Sequence, residues 1–118
     1  MSVMAALARF TFGAVILVPF PFSDQSGAKQ RPAVIVSSDS YNTRRRDLVI
    51  LAITSQLRSP PGFAEALVAD WRAAGLIKPS AFKPVFATIE QALAIRSLGS
   101  LAAPDLASLR SILSQAIA

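Results

Sequence analysis

The sequence contains neither cysteine nor histidine, and each absence removes whole classes of chemistry. Without cysteine there is no disulfide framework, no thiol nucleophile and no thiolate metal site. Without histidine there is no Ser-His-Asp triad, no paired-imidazole nuclease mechanism and none of the common zinc sites. Charge is scarce as well: 16% of the 118 residues are Asp, Glu, Lys or Arg, against 53% hydrophobic. Long apolar runs are missing, and none approaches the roughly 20 residues that a membrane-spanning helix needs. The nearest imitation is Phe10 to Phe22 behind Arg9, which looks like the apolar part of a signal peptide. Pro19 and Pro21 interrupt it, Arg9 is the one positive charge ahead of it, and no small-x-small cleavage site follows. A cytoplasmic protein with no membrane association is therefore expected.

What remains for chemistry is Arg, Lys, Asp, Glu and the hydroxyls. The net charge of +5 favours a polyanionic or acidic partner. A chain of this length holds one core, so residues 10–118 read as a single domain, with 1–9 a flexible extension in which Met4 is an alternative start. The apolar surplus points to a covered surface, most simply a homodimer.

The chain is organised around Gly13 to Pro32. Val15 to Val18 is short and wholly apolar, as in a buried strand, here Ala14 to Phe20. Pro19 and Pro21 cannot donate to a sheet ladder and end it. A polar loop, Ser23 to Gln30, follows, and it returns on Arg31, which Pro32 biases towards extended backbone. An always-charged, fork-shaped donor thus stands where a loop re-enters a strand, a position suited to holding a phosphate. The second strand is expected over Ala33 to Ser37, and Ser38 to Thr43 reads as turn chemistry. Arg44-Arg45-Arg46 reads first as a solvated hairpin tip and second as an anion contact.

Leu48 to Thr54 is apolar on both faces, as a central strand is. Polarity returns at Thr54-Ser55-Gln56, where that strand leaves the core. Arg58 to Gly62 is a loop, and Ala64 to Val68 a short strand with Glu65 outside. Asp70 is placed to cap a single helical turn that Gly75 ends, and Trp71 there reads as a core or dimer anchor. A further strand spans about Phe82 to Ile89, followed by a connector through Gly99. Pro104 opens a last helix whose Leu106, Leu109, Ile112, Leu113 and Ile117 form one apolar stripe. Short strands closed by one helix predict a small, strongly bent, mainly antiparallel barrel.

The run from Phe12-Gly13 through Pro19-Phe20-Pro21-Phe22-Ser23-Asp24, then Gly27-x-Lys29-x-Arg31-Pro32-Ala33-Val34-Ile35-Val36-Ser37, resembles the first motif of the PemK/MazF toxin family. Ile53-Thr54-Ser55-Gln56 is similar to its second motif, and Gly75-Leu76-Ile77-Lys78-Pro79-Ser80 to a third of the PemK-like branch. The resemblance spans Phe10 to the final helix. It implies a mainly β, SH3-like barrel of the CcdB-like type with a C-terminal helix. It implies a type II toxin–antitoxin toxin that dimerises and cuts single-stranded mRNA at specific sequences, with neither metal nor cofactor. A small acidic antitoxin would neutralise it, and operator DNA would be reached only through that antitoxin.

The family's catalytic arginine and threonine fall on Arg31 and Thr54. Asp24, Lys29, Gln30, Ser55, Gln56, Lys78 and Ser80 are the RNA-binding candidates, with Lys83 near them by analogy of position. Asp24 is also a carboxylate candidate for the general base, which the sequence leaves open. Ala14 departs from the pattern, since the family usually carries an acid after the glycine. Two rivals stand beside the nuclease: a relative of the same barrel that poisons gyrase, and a non-catalytic RNA-binding module. For Arg31 the competing role is an ion pair with Asp24 or Glu90.

Overall fold

In a computed structural model, residues 10–20 and 29–118 are described. The six-residue strand β1 (Ala14–Pro19) is flanked by antiparallel strands on both sides, and its alternate side chains enter two different apolar layers. One flanking strand is β2 (Gln30–Ile35), in register from Val15 opposite Val34 to Pro19 opposite Gln30. Strand β2 also pairs antiparallel with β3 (Asp47–Thr54), which in turn pairs with β5 (Ala81–Glu90). The two-residue β4 (Ala66–Leu67) lies on the outer side of β5, and β6 (Arg96–Ser100) on the outer side of β1. The sheet order is β4-β5-β3-β2-β1-β6. The C-terminal helix is α2 (Ala103–Ala116), with a proline in its first turn as its sequence predicts. This is the bent β architecture with a closing helix that the sequence leads one to expect.

Two apolar layers fill the two faces of the curled sheet. Val15, Val34, Leu51, Ile53 and Phe82 pack with Leu109 and Ile112 of α2, and Trp71 lies partly buried against them. Ile16, Val18, Ala33, Ile35, Leu48 and Ile50 form the second layer. The alternation of side chains along a strand sorts residues between these layers, so register decides which polar residues end up together.

Several elements depart from the sequence-based expectation. Strand β2 begins at Gln30 and contains Pro32, instead of starting after it. The backbone explains how. Lys29 O accepts Phe20 N at 3.2 Å and Ile35 O accepts Gly13 N at 2.9 Å, so odd-numbered residues of β2 bond towards β1. Pro32 therefore turns its missing N–H towards β3, just beyond Ala33–Ala52, where the β2–β3 pairing ends.

The stretch after Ser38 forms a short helix, α1 (Asp39–Arg44), and not a turn; Ser38 Oγ caps it by accepting Tyr41 N at 3.1 Å. Asn42, 1% exposed, fixes this helix by donating to Phe10 O at 2.8 Å and Ser37 O at 3.2 Å, while its amide oxygen accepts from Ser37 Oγ. The connector up to Gly99 contains a full strand, β6. Between Leu51 and Ala52 the β3–β5 register skips, leaving Pro84 and Val85 in a bulge, the place within a sheet where a proline's missing donor is tolerated.

The turn between β4 and β5 closes the fold back onto β6. Asp70 Oδ1 accepts Ala73 N at 3.1 Å, and Gly75 N and Leu76 N donate to Arg72 O and Trp71 O at 3.0 Å each. That is the paired C-terminal capping pattern predicted for Asp70 and Gly75, with Gly75 at φ +79°. A Cβ on Gly75 would lie 1.9 Å from Leu98 O, so this turn and β6 touch backbone to backbone. Asp105, 1% exposed in the first turn of α2, accepts Ala69 N at 2.7 Å and Asp70 N at 2.8 Å and locks the turn to the helix. The 1–9 extension lies outside the described residues.

Candidate active site

Strands β2 and β3 leave the core at the same end of the sheet. Their last ladder pair is Ala33 opposite Ala52, and Arg31 and Thr54 each lie two residues beyond it. Arg31 shares the sheet face of Ala33, and Thr54 that of Ala52, so both belong to one cross-strand row on one face. Arg31 is exposed and Thr54 half-buried. Because Pro32 offers no N–H to β3, the ladder is not continued between them, and the strand ends stay open to solvent at this row.

Thr54 Oγ1 accepts Gln56 N at 3.0 Å, a local turn that orients the hydroxyl and leaves its proton for another acceptor. Arg31 makes no ion pair among the described residues. The alternative pairing with Glu90 fails on topology: Glu90 stands opposite Asp47, at the other end of β3 from Thr54. Asp24, the other alternative and an RNA-binding candidate, lies outside the described residues.

The remaining candidates divide. Lys29 and Gln30 are exposed immediately before Arg31, with Gln30 opposite Pro19, and Ser55 and Gln56 are exposed immediately after Thr54. Lys78 is exposed on the approach to β5. Ser80 is 5% exposed, and its hydroxyl donates to Lys78 O at 3.0 Å while its carbonyl accepts Val68 N at 2.8 Å. Its hydroxyl is thus committed to shaping the chain just before Ala81, which stands opposite Thr54. Lys83 stands opposite Ala52 and brings a second exposed cation to the face of Arg31 and Thr54.

Arg58 and Glu65, a loop residue and an outward strand residue by sequence, form a pair in the structure. Arg58 Nε and Nη2 donate to the two carboxylate oxygens of Glu65 at 3.0 and 2.9 Å, and Gly62 N donates to Glu65 Oε1 at 2.7 Å. Glu65 is not an outward-facing strand residue: its side chain is 12% exposed. The Arg58 guanidinium, then the Gly62 N–H, hold its carboxyl below the usual carboxylate range, and Lys83 adds to this. Thr54, Gln56, Arg58, Glu65 and Lys83 line one cleft of about 350 Å³. An Arg and a Glu seven residues apart across a Pro-Pro-Gly loop carry no periodic signal, so only the folded loop reveals the pair.

The three consecutive arginines sit at the opposite end of β3. Arg45 is committed there: its Nε donates to Asp47 Oδ1 at 3.0 Å and its guanidinium lies 5.5 Å from the centre of the Tyr41 ring. Tyr41 OH donates to Asp47 Oδ2 at 2.8 Å, so Asp47 is held below the ordinary carboxylate range, first by Arg45 and then by Tyr41. Among the described residues no cluster of three or more Asp, Glu, His or Cys is arranged for a metal ion.

A family model described as the PemK-like, MazF-like toxin of type II toxin-antitoxin systems matches residues 11–117. The chain belongs to this family. The toxin's fold is shared by solved structures of low sequence identity. A mycobacterial endoribonuclease in complex with its cognate antitoxin superposes with a TM-score of 0.72 at 16% identity, covering 91% of this chain and 93% of that one. The Mycobacterium tuberculosis toxin MazF-mt6 gives 0.70 at 20% identity, over 87% and 94% of the two chains. A MazE-MazF structure from Deinococcus radiodurans gives 0.67 at 19%, over 88% and 92%. Comparison with curated protein sequences gives no significant match. Among the toxin's described residues, no helix is long and apolar enough to cross a membrane.

Proposed function

We propose that this toxin is a metal-independent endoribonuclease that cuts single-stranded mRNA at specific sequences, with Arg31 and Thr54 as its catalytic pair. The observation that carries the reading is their shared row on neighbouring strand ends, with Arg31 in no ion pair among the described residues. The fold's likeness to a chain described as an endoribonuclease bound to its antitoxin supports it.

In this mechanism the substrate's 2′-hydroxyl attacks the adjacent phosphorus. Its proton passes to a base, the P–O5′ bond breaks, and the 5′-oxygen leaves with a proton. The products are a 2′,3′-cyclic phosphate and a 5′-hydroxyl. The nucleophile belongs to the RNA, so the protein's task is positioning and charge stabilisation. Arg31 offers paired N–H donors to the non-bridging oxygens as negative charge builds on the phosphorane. Thr54, its oxygen lone pair engaged by Gln56 N–H, donates a hydrogen bond from its hydroxyl to the same centre. Lys29, Gln30, Ser55, Gln56, Lys78 and Lys83 surround the row as strand-holding groups. The active species is a homodimer, which a small acidic antitoxin silences by covering the basic groove.

The test is purified protein with single-stranded RNA in EDTA. Cutting that disappears when one 2′-deoxy nucleotide replaces the ribose at the cut site supports the proposal. Intact RNA with inhibited supercoiling would place the toxin with gyrase poisons, and binding without either would make it an RNA-binding module.

A further inference from the structure

The cleft that holds Thr54 continues past the proposed reaction centre to a second arginine. Arg58 is 70% exposed, yet it is not a free surface side chain. Two of its five N–H donors are spent on Glu65, which also takes the N–H of Gly62. The pair closes the loop over Pro60 and Pro61 and fixes the guanidinium plane. Of the three unspent donors, one on Nη1 and one on Nη2 form the end edge of the fork, beyond the edge that Glu65 occupies, and the second on Nη1 points back along the side chain. A fixed outer edge of this kind matches two acceptors side by side, as guanidinium forks match phosphates and the O6/N7 edge of guanine. Glu65 neutralises the ion without covering that edge. Lys83, lining the same cleft, adds positive charge.

We propose that Arg58, oriented by Glu65, is a second RNA-binding residue that grips a paired-acceptor group of a nucleotide neighbouring the scissile phosphate. The group is either the two non-bridging oxygens of a phosphodiester or the O6/N7 edge of guanine. The inference rests on the ribonuclease reading and extends it to substrate selection. A cleft of about 350 Å³ is within the range that accepts a small ligand and leaves room for one nucleotide unit beside Thr54.

The experiment uses the full chain and the variants Arg58→Ala, Arg58→Lys and Glu65→Gln, each checked for wild-type dimerisation and thermal unfolding. Binding is measured with uncleavable, fully 2′-O-methylated U-only and G-containing strands at several salt concentrations. Cutting is measured by sequencing the ends produced from a random RNA pool. If the partner is a phosphodiester, Arg58→Ala weakens both strands alike and lowers the slope of log Kd against log salt by about 0.7. If it is guanine, U-only binding holds, while preference for G at one position beside the cut falls about 10- to 100-fold. Arg58→Lys keeps the charge but loses the fork, so it restores the first effect and not the second. Glu65→Gln raises KM with kcat unchanged, because the fork is present but no longer held. Wild-type salt slope, KM and cut-site profile in both Arg58→Ala and Glu65→Gln would overturn the proposal. Should the wild-type chain cut nothing, the ribonuclease reading fails, and the binding series still decides the role of Arg58.

Discussion

Arg31 and Thr54 each lie two residues beyond Ala33 and Ala52, the pair on which the β2–β3 ladder ends. The relationship is one of register. The strand alternation that buries Ala33, Ile35 and Ile50 in one layer also delivers the guanidinium and the hydroxyl to the same face at its open end.

Replacing either member should therefore damage the same step. Arg31→Ala and Thr54→Ala are each expected to cut RNA about 10²–10³-fold more slowly, the usual cost of one lost preorganised donor. The double variant should be little worse than the poorer single one, as for groups acting as a unit. Wild-type cleavage by Arg31→Ala, with circular dichroism and oligomeric state unchanged, would remove Arg31 from the mechanism.

Pro32 keeps the row open, and this has a measurable consequence. Pro32→Val supplies the missing N–H on the β3 side and lets the ladder run on towards Arg31 and Thr54. Thermal stability should hold or rise, while cleavage slows by about 10- to 10²-fold as the two groups lose their spacing. A variant that is both more stable and fully active would show that the opening does not matter.

Gly75 has two independent reasons to be glycine, a positive φ and a neighbouring carbonyl. Gly75→Ala brings its Cβ against Leu98 O, so either the turn or β6 must move. A loss of about 2–4 kcal/mol is expected from combined strain and displaced packing, or roughly 4 °C in Tm per kcal/mol. Urea unfolding reads it directly.

Asp105 should be sensitive for a different reason. Asp105→Ala leaves two backbone N–H groups, those of Ala69 and Asp70, without the buried carboxylate that accepts them at a part-buried contact. The expected cost is about 2–4 kcal/mol, and Asp105→Asn should recover part of it by keeping one acceptor oxygen. Equal stability of the alanine variant and the parent would refute the locking role.

Acid should loosen the protein through Glu65 and Asp47. Both carboxyls titrate below their ordinary values of 4.5 and 3.8 in the folded chain, so the folded state binds their protons less readily than the unfolded state. Their stabilisation is complete above those ordinary values and is lost as pH falls through the lower folded ones. Tm should be flat with respect to these groups from neutral pH down to about 5 and then fall. In Glu65→Gln the fall should be shallower; an unchanged profile would mean that Glu65 contributes nothing to it.

Some features were legible in sequence because local chemistry fixes them. The paired apolar faces of Val15 to Val18 and Leu48 to Ile53 could only be inner strands. Asp70 and Gly75 could bracket one helical turn, and Pro104 could open a helix, wherever the surrounding chain ran. Other features were not legible because no local signal encodes them. Strand β6, Arg-Ser-Leu-Gly-Ser, has no apolar alternation and is a strand because β1 offers it an edge. Pro32 looked like a strand boundary until the direction of its missing donor was known. Arg58 and Glu65 read as two ordinary surface charges until one loop folded them together.

The sequence by itself determined the family, the mainly β architecture with its closing helix, and the residue types left for chemistry once cysteine and histidine are excluded. It did so because burial patterns, caps and motif spacing are carried by neighbours along the chain. Only the tertiary structure decided that Arg31 lies at the Thr54 end of β3 and not at the Glu90 end, that Ser80 turns its hydroxyl to Lys78 O, and that Arg58 is paired with Glu65. Those outcomes depend on strand register and loop closure, which join residues far apart in sequence and leave no trace in any short stretch of it.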